Sequence, residues 1–450
     1  MILAGMSATA AAQGSLIIKG GWLFDTESGR FMANRGLLVR QGRIMSLDAI
    51  GARADQEIQL GDDAFLIPGI FDLHAHHNVN LFGRRRRDDY QVNPVVFLAN
   101  GVTSTFPAGE FDPGGMETAR KAIDRGDRPG PRLHNSGPYF GSARPGWNQD
   151  EMTVEQIRRE VDEWAERGVR GFKAKGIQPH HLEALIGAAH RQGLSVTGHL
   201  GSGFRNSVNP ADAILMGIDR IEHFMGGEAF PSDRSAYASF VDFESGTPEF
   251  QAITDLFISH HVNYDATLTA YGYYGDRKDQ VFQPWQNEKR FLTPFVLDAL
   301  ERREERQVNE QFQKIYEVKK KLIRAFYEAG GGHLITLGTD HPSSGDYLSG
   351  FASHREIQAL HETGIPAAAV LRIATINGAR ALGLGDRLGS IEPGKLADFF
   401  VVTGNPITDI RRTRNIRMVF KGGQVYDPNQ LLRSVEGKLG PNNFAEAVGW

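Results

Sequence analysis

The chain has 450 residues, with 50 Lys and Arg against 54 Asp and Glu, a net charge of −4 and no cysteine. That length allows a large core in two domains, or in one barrel with an appendage, and the acidic balance argues against a nucleic-acid surface. Without cysteine there is no disulfide, thiolate metal site or cysteine nucleophile; no apolar run is long enough to span a bilayer.

Residues 1–13, MILAGMSATAAAQ, are apolar and rich in small side chains, with Ala-x-Ala spacings before Gln13. They resemble the latter part of a secretory signal without its basic start, so a periplasmic or secreted location is expected ahead of a cytoplasmic one; a plain N-terminal tail is the alternative. Strand-like runs follow at Ser15–Lys19, Trp22–Phe24, Gly36–Arg40 and Arg43–Leu47, with turn residues between them. The same texture returns at Ala397–Val402, Ile416–Phe420 and Gly423–Tyr426, so both ends are expected to pair into one minor β-rich domain.

Next comes Leu66-Ile-Pro-Gly-Ile-Phe-Asp-Leu-His-Ala-His76. On a strand, residues i and i+2 face one side, so His74 and His76 point into one space, as half of a metal site would. Beyond it the pattern becomes alternating strands and helices. Thr153-Val-Glu-Gln156 is a capping box opening a helix to about Arg167, and Val169–Lys173 follows as a strand. A helix from Pro179 to Gln192 stops at Gly193 before the strand Leu194–His199, and Asn209-Pro210 begins a third helix before Asp219–His223. Repeated βα units predict a parallel sheet, open or closed into a barrel.

Polar residues end these strands one βα unit apart: Lys173, His199 and His223 are separated by 26 and 24 residues, and Leu334–Asp340 is another apolar strand ending in a carboxylate. In a (β/α)8 barrel such ends converge on one mouth, whereas an open sheet scatters them. Strands near Phe71, Thr103, Arg132, Val169, Leu194, Arg220, Val262 and Leu334 supply the eight required. Residues 286–329 are expected to form a long charged helical segment with an apolar stripe at Val308, Phe312, Ile315, Leu322 and Phe326, packing on the barrel or on a neighbouring subunit of a homo-oligomer.

Pro68–His76, Ala374-Thr-Ile-Asn-Gly-Ala-Arg-Ala-Leu-Gly383 and Gly389-Ser-Ile-Glu-Pro-Gly-Lys-Leu-Ala-Asp398 resemble the amidohydrolase superfamily over nearly the whole chain, most of all its prolidase-like and imidazolonepropionase-like branch. The resemblance implies an α/β fold: a (β/α)8 TIM barrel over 67–385, a small composite β-sandwich domain from 14–66 and 386–428, and a C-terminal tail over 429–450. It implies two divalent metal ions, zinc in the usual case. His74 and His76 hold the more buried ion with Asp340, and His199 and His223 hold the second. Lys173, carboxylated by carbon dioxide, bridges both through its carbamate, because an ammonium cannot ligate a cation. The alternative for Lys173 is an ordinary salt bridge; Lys175, on the same face, is the other carbamate candidate but fits the family's Gly-x-x-x-x-Lys strand less well.

Alternation makes Asp72 a partner of the ligands, turns Glu222 away from the site if its strand is regular, and turns His341 outward. His77, His260, His261 and His354 have no comparable support. The implied reaction is metal-assisted hydrolysis, in which two ions share and acidify a water and Asp340 acts as general base and then acid. A deaminase of this superfamily would want a carboxylate soon after His199, and Leu200-Gly-Ser-Gly-Phe204 has none. Arg84 of the Arg84–Arg87 run is a candidate for binding a substrate carboxylate, although Asp88-Asp89 make a solvated charge run the plainer reading. Tyr271, near Tyr273 and Tyr274, either touches substrate or packs a loop. The expected activity is cleavage of an amide C–N bond in a small molecule or short peptide, such as a dipeptide or N-acyl amino acid. Hydrolysis of a cyclic amide or lactone is the enzyme alternative. A non-catalytic binding protein of the same fold is marked by lost ligands, and here all six positions are filled.

Overall fold

β-branched and aromatic runs at both ends of the chain meet in shared sheets. The computed structural model describes residues 14–83, 85–302, 307–342 and 349–450; the N-terminal residues 1–13 and Arg84, which carried expectations of a leader and a substrate contact, lie outside them. The first strands are β1 (Ser15–Lys19), β2 (Trp22–Asp25), β3 (Arg30–Ala33), β4 (Leu37–Arg40), β5 (Arg43–Ser46), β6 (Gln56–Gln59) and β7 (Ala64–Pro68). β8 (Ile70–Ala75) follows directly and carries His74, and the short β9 (Asn78–Val79) and β10 (Arg87–Asp88) pair antiparallel beyond it.

The middle of the chain supplies parallel strands: β11 (Val102–Pro107), β12 (Arg132–Leu133), β13 (Tyr139–Phe140), β14 (Gly171–Lys175), β15 (Ser195–His199), β16 (Arg220–Glu222) and β17 (Asn263–Asp265). They are hydrogen-bonded in the orders β12-β11-β8 and β13-β14-β15-β16-β17. The expected third strand is therefore split, β12 pairing with β11 and β13 with β14. Residues 334–340, expected as a regular strand, are irregular but bonded on both sides. Tyr264 N donates to Leu334 O and Thr336 N to Tyr264 O, while Leu73 N donates to Leu337 O and Asp340 N to His74 O.

Intervening helices begin and end where local chemistry dictates. Thr153 and Gln156 form the expected reciprocal cap of the helix Val154–Glu166, which buries Ile157 and Val161. The helix Pro179–Arg191 starts on a proline and stops before Gly193, which takes φ +67°. Its Leu182, Leu185 and Ile186 share a core with Phe172, Val196 and Ile221 of the strands, leaving the alternate strand residues to face the interior. The segment 286–329 is not one helix. It divides into a turn at Glu288–Phe291, a helix at Pro294–Glu301 started by Thr293-Pro294, and a helix at Glu310–Glu328 capped by Asn309. On the last helix Ile315, Leu322 and Phe326 are buried, and Phe326 meets Phe257 and Tyr264, so this part of the stripe packs within the chain, whereas Val308 lies before the helix and is exposed.

The chain returns through β18 (Phe399–Thr403), β19 (Ile416–Lys421) and β20 (Gln424–Tyr426). These join the N-terminal strands in a six-stranded sheet of order β20-β19-β18-β7-β2-β3, beside a four-stranded sheet of order β5-β4-β1-β6. β7 thus pairs with β18 and leads directly into β8, the strand that carries His74.

Candidate metal centre

His74 and His76 leave the end of β8 on one side, buried, with ring centroids 5.4 Å apart. Asp340 reaches them from the neighbouring irregular segment. Its φ of +58° turns the carboxylate so that Oδ1 lies 2.8 Å from His76 Nε2 and 3.4 Å from His74 Nε2, with Oδ2 3.8 Å from His223 Nε2. The His223 ring is 4.9 Å from that of His74 and 4.2 Å from that of His199 at the end of β15. The structure therefore brings together His74, His76, His199, His223 and Asp340. Lys173 sits at the base of the cluster, fully buried, with Nζ against the Glu222 carboxylate. Lys175, two residues on, is on the same strand face in register with His199.

Glu222 corrects an expectation. It faces inward like His223, because β16 ends at Glu222 and His223 takes the left-handed φ of +67°, which breaks the alternation. Glu222 Oε1 accepts from Thr197 Oγ1 at 3.0 Å, and Oε2 lies 3.4 Å from His74 Nδ1. His341 is buried, its ring edge-on to Tyr273 at 5.7 Å. Asp72 has the supporting place expected of it: Oδ1 accepts from the backbone N–H of His74 and Thr339, and Oδ2 from the hydroxyls of Thr339 and Ser353. Burial, opposed by those donors, raises its carboxyl to about 6. Tyr271 is packed rather than open, 5.9 Å from the His223 ring and in contact with Tyr237, Phe224 and Phe312.

The donor set suits divalent cations. The Thr267 hydroxyl donates to Ala266 O at 2.7 Å, so at 2.6 Å it accepts from His223 Nδ1–H; Nε2 keeps its lone pair and has no hydrogen-bond partner among the described residues. Likewise His74 Nδ1 faces Glu222 and, at 3.8 Å, Asp265, which leaves Nε2 on the Asp340 side. Rotating the Asn78 amide would set its unpartnered Oδ1 against His76 Nδ1, 3.4 Å from that amide, and free His76 Nε2. Burial favours the neutral, ligating form of three of the rings: His76 is pulled down to about 3, and His199 and His223 well below the usual range. For Asp340 burial acts the other way, but the His74 and His76 rings outweigh it and hold the carboxyl well below 3.8. Among the described residues two groups have the spacing to hold an ion: His74, His76 and Asp340, and His74, Glu222 and His223. With His74 Nε2 turned to the first, its Nδ1 faces Glu222 Oε2 at 3.4 Å, a carboxylate placed to orient the ring instead of adding a ligand.

Sequence reasoning turned Glu222 away from the site and passed over Asp265, Arg220 and Thr267. Arg220 lies beneath the site, donating to Thr197 Oγ1 and Leu73 O, 3.6 Å from Asp265. Asp265 ends β17, so the strand-end rule that selected His199 would have found it too.

The amidohydrolase family model matches residues 298–426. The 5-methylthioadenosine/S-adenosylhomocysteine deaminase of Syntrophobacter fumaroxidans is 43% identical over 117 residues, 22% of this chain and 27% of that protein. Adenine deaminase 4 of Rhizobium meliloti is 34% identical over 112 residues, 23% of this chain and 18% of that protein. The matches to these curated relatives thus span about a quarter of their length or less. Among solved structures, a Xaa-Pro dipeptidase with bound methionine has a TM-score of 0.68 at 22% identity, covering 92% of this chain and 100% of that one. Molinate hydrolase has 0.67 at 18% identity, covering 96% and 98%, and the A. niger ochratoxinase 0.64 at 18%, covering 95% and 99%. At these identities the likeness shows the fold, an α/β TIM barrel.

Proposed function

We propose that the chain is a member of the amidohydrolase superfamily and a metal-dependent hydrolase cleaving an amide C–N bond in a small substrate such as a dipeptide or N-acyl amino acid. The observation that carries this is the convergence of neutral imidazoles and one ionised carboxylate on a buried space, with the His223 Nε2 lone pair unspent. His74, His76 and Asp340 would hold one divalent ion, zinc in our reading, and His199 and His223 a second, with a carbamate on Lys173 between them. Burial, reinforced by Lys175, pulls the Lys173 amine well below its usual range, toward the neutral form that takes up carbon dioxide. When bound, the ions would acidify a water and polarise the scissile carbonyl. Asp340 takes the proton of the attacking water on Oδ2 and delivers it to the leaving nitrogen. Glu222 and Thr267 keep the His74 and His223 rings turned for ligation. In the same reading a barrel over 67–385 is flanked by a β-domain from 14–66 and 386–428, with a tail over 429–450.

Two cations support a substrate carboxylate. Lys175 is partly exposed beside the cluster, and the charge of Arg86 acts on Lys175 and His76; neither cation has an ion-pair partner among the described residues. Hydrolytic deamination is the second reading, favoured by the names of the sequence relatives. The absence of a carboxylate in Leu200–Phe204 weighs against it, and cyclic amides and lactones stay in the test.

The test is metal content together with activity on dipeptides, N-acyl amino acids, lactones and 5-methylthioadenosine. Two equivalents of metal and amide cleavage are expected. Under one equivalent, with no loss on replacing His199 or His223, sinks the binuclear assignment, and ammonia release from the nucleoside alone replaces the amide reading. Lys175→Met is expected to raise KM for a free acid about 10- to 100-fold, the worth of a charged hydrogen bond, and to spare the corresponding amide. An equal effect on both removes Lys175 from carboxylate recognition.

A further inference from the structure

Lys319 lies on the helix Glu310–Glu328, outside the sheet, yet it is only 1% exposed. A buried ammonium ordinarily brings a carboxylate with it, because desolvation is costly. Among the described residues Lys319 forms no salt bridge. It donates instead to the backbone carbonyls of His223 and, at 2.8 Å, Ala266. The faces of Tyr271, Phe240 and Phe224 stand 4.6, 4.9 and 5.4 Å from Nζ, a setting in which ring quadrupoles replace part of the lost hydration.

What this cation grips is the turn that aims His223. Both His223 (φ +67°) and Thr267 (φ +50°) are left-handed, a conformation that non-glycine residues keep only when their surroundings enforce it. The His223 carbonyl accepts from the Tyr264 hydroxyl at 2.9 Å as well as from Lys319. The Ala266 carbonyl accepts from Lys319 and from the Thr267 hydroxyl, and that hydroxyl accepts His223 Nδ1–H. The contacts close into a ring: ammonium to His223 backbone, His223 side chain to Thr267, Thr267 to Ala266, and Ala266 back to the ammonium. Neither the backbone angle nor the tautomer of His223 can change without breaking a buried bond in that ring.

We infer that Lys319 is a positioning residue for the metal centre, locking the left-handed turn at His223 from outside the barrel and keeping Nε2 of that ring presented for ligation. The inference rests on the reading of His223 as a ligand. It touches neither substrate nor ion, and it couples the helix Glu310–Glu328 to the site through one side chain.

The test titrates zinc into the metal-depleted full chain for wild type, Lys319→Met and Lys319→Arg. Lys319→Met is expected to weaken the second equivalent at least tenfold and the first less than threefold, and Lys319→Arg, which keeps charged donors, to recover most of the difference. If both equivalents bind Lys319→Met as they bind wild type, whatever its melting temperature, the inference is overturned. A second readout needs no metal. In histidine-labelled apoprotein the His223 Nδ1–H resonance, protected by Thr267, should be lost in Lys319→Met while that of wild type persists; its persistence in the variant counts against the inference. Wild type binding fewer than two equivalents would count against the binuclear reading, and the proton resonance would still decide the role of Lys319. Should Lys319→Met fail to fold, Phe240→Leu thins the aromatic surround without removing the donor. Weakened second-ion binding and faster exchange of the Nδ1 proton in that variant support the inference, and wild-type values for both overturn it.

Discussion

Glu222 is wholly buried at the base of the cluster, touching Lys173, lying 3.4 Å from His74 Nδ1 and 3.9 Å from Arg220, and accepting from Thr197. Its charge favours the His74 tautomer protonated at Nδ1, and its Oε2 also meets the Lys173 amine, so that one carboxylate serves two proposed ligand positions. Glu222→Gln keeps the shape and removes both effects, since an amide is uncharged and presents only one acceptor oxygen. Outer partners of metal ligands typically cost 10- to 100-fold in metal affinity or activity when replaced, and a loss in that range is expected here. Competition with a chelator measures it, and wild-type affinity in Glu222→Gln would mean that His74 needs no carboxylate behind it. Asp265, the other carboxylate facing His74 Nδ1, is farther away at 3.8 Å and is expected to matter less.

The segment 334–341 shows at the element scale why the site needs an imperfect strand. It is bonded to β8 on one side and to β17 on the other, and it delivers Asp340 by a left-handed step that a regular strand does not allow. Gly338 makes the close approach feasible: a Cβ there would lie 2.6 Å from Asp265 Oδ2 and 2.8 Å from His74 Cβ. Gly338→Ala is therefore expected to displace His74, costing about 1–3 kcal/mol of stability and a larger share of metal uptake. Denaturant melts with metal analysis check this; unchanged melts and two bound equivalents would mean that the contact relaxes without moving the ligand. Spacing and strand ends revealed the His-x-His pair, Lys173, His199, His223 and Asp340, and the Thr153–Gln156 box located its helix, because these signals are local. β3 and β6 escaped notice because Arg30-Phe-Met-Ala33 and Gln56-Glu-Ile-Gln59 are largely exposed and lack an alternating apolar face. The inward turn of Glu222 depends on a backbone angle, and the grip of Lys319 on His223 joins positions 96 residues apart, so neither has a local signature.

Across the whole molecule, distant parts of the chain are joined through buried polar side chains as well as apolar ones. β7 pairs with β2 and with β18, so both ends of the sequence complete one sheet beside the strand of the His-x-His pair. His354, on the helix Phe351–Glu362, bonds through Nε2–H to Asn100 O at 2.9 Å and lies 3.1 Å from Thr413 Oγ1 through Nδ1, tying three separated segments together. His134 is buried too, stacked at 6.1 Å on Phe71. Burial pulls both imidazoles down to about 3 from an ordinary 6.5, with nearby arginines reinforcing it. A folded-state pKa below the unfolded one means that the unfolded chain binds more protons between those values. Stability is therefore full above pH 6.5 and is lost as pH falls from 6.5 toward 3, at about 1.4 kcal/mol per pH unit for each group. His354→Gln keeps an N–H for Asn100 but cannot ionise. With metal removed, so that ligand protonation does not add a metal-release term, wild type should lose about 2 kcal/mol more than His354→Gln between pH 6.5 and pH 5 in urea unfolding. Equal losses in the two proteins would mean that His354 takes up its proton without breaking the bonds that join residues 100, 354 and 413.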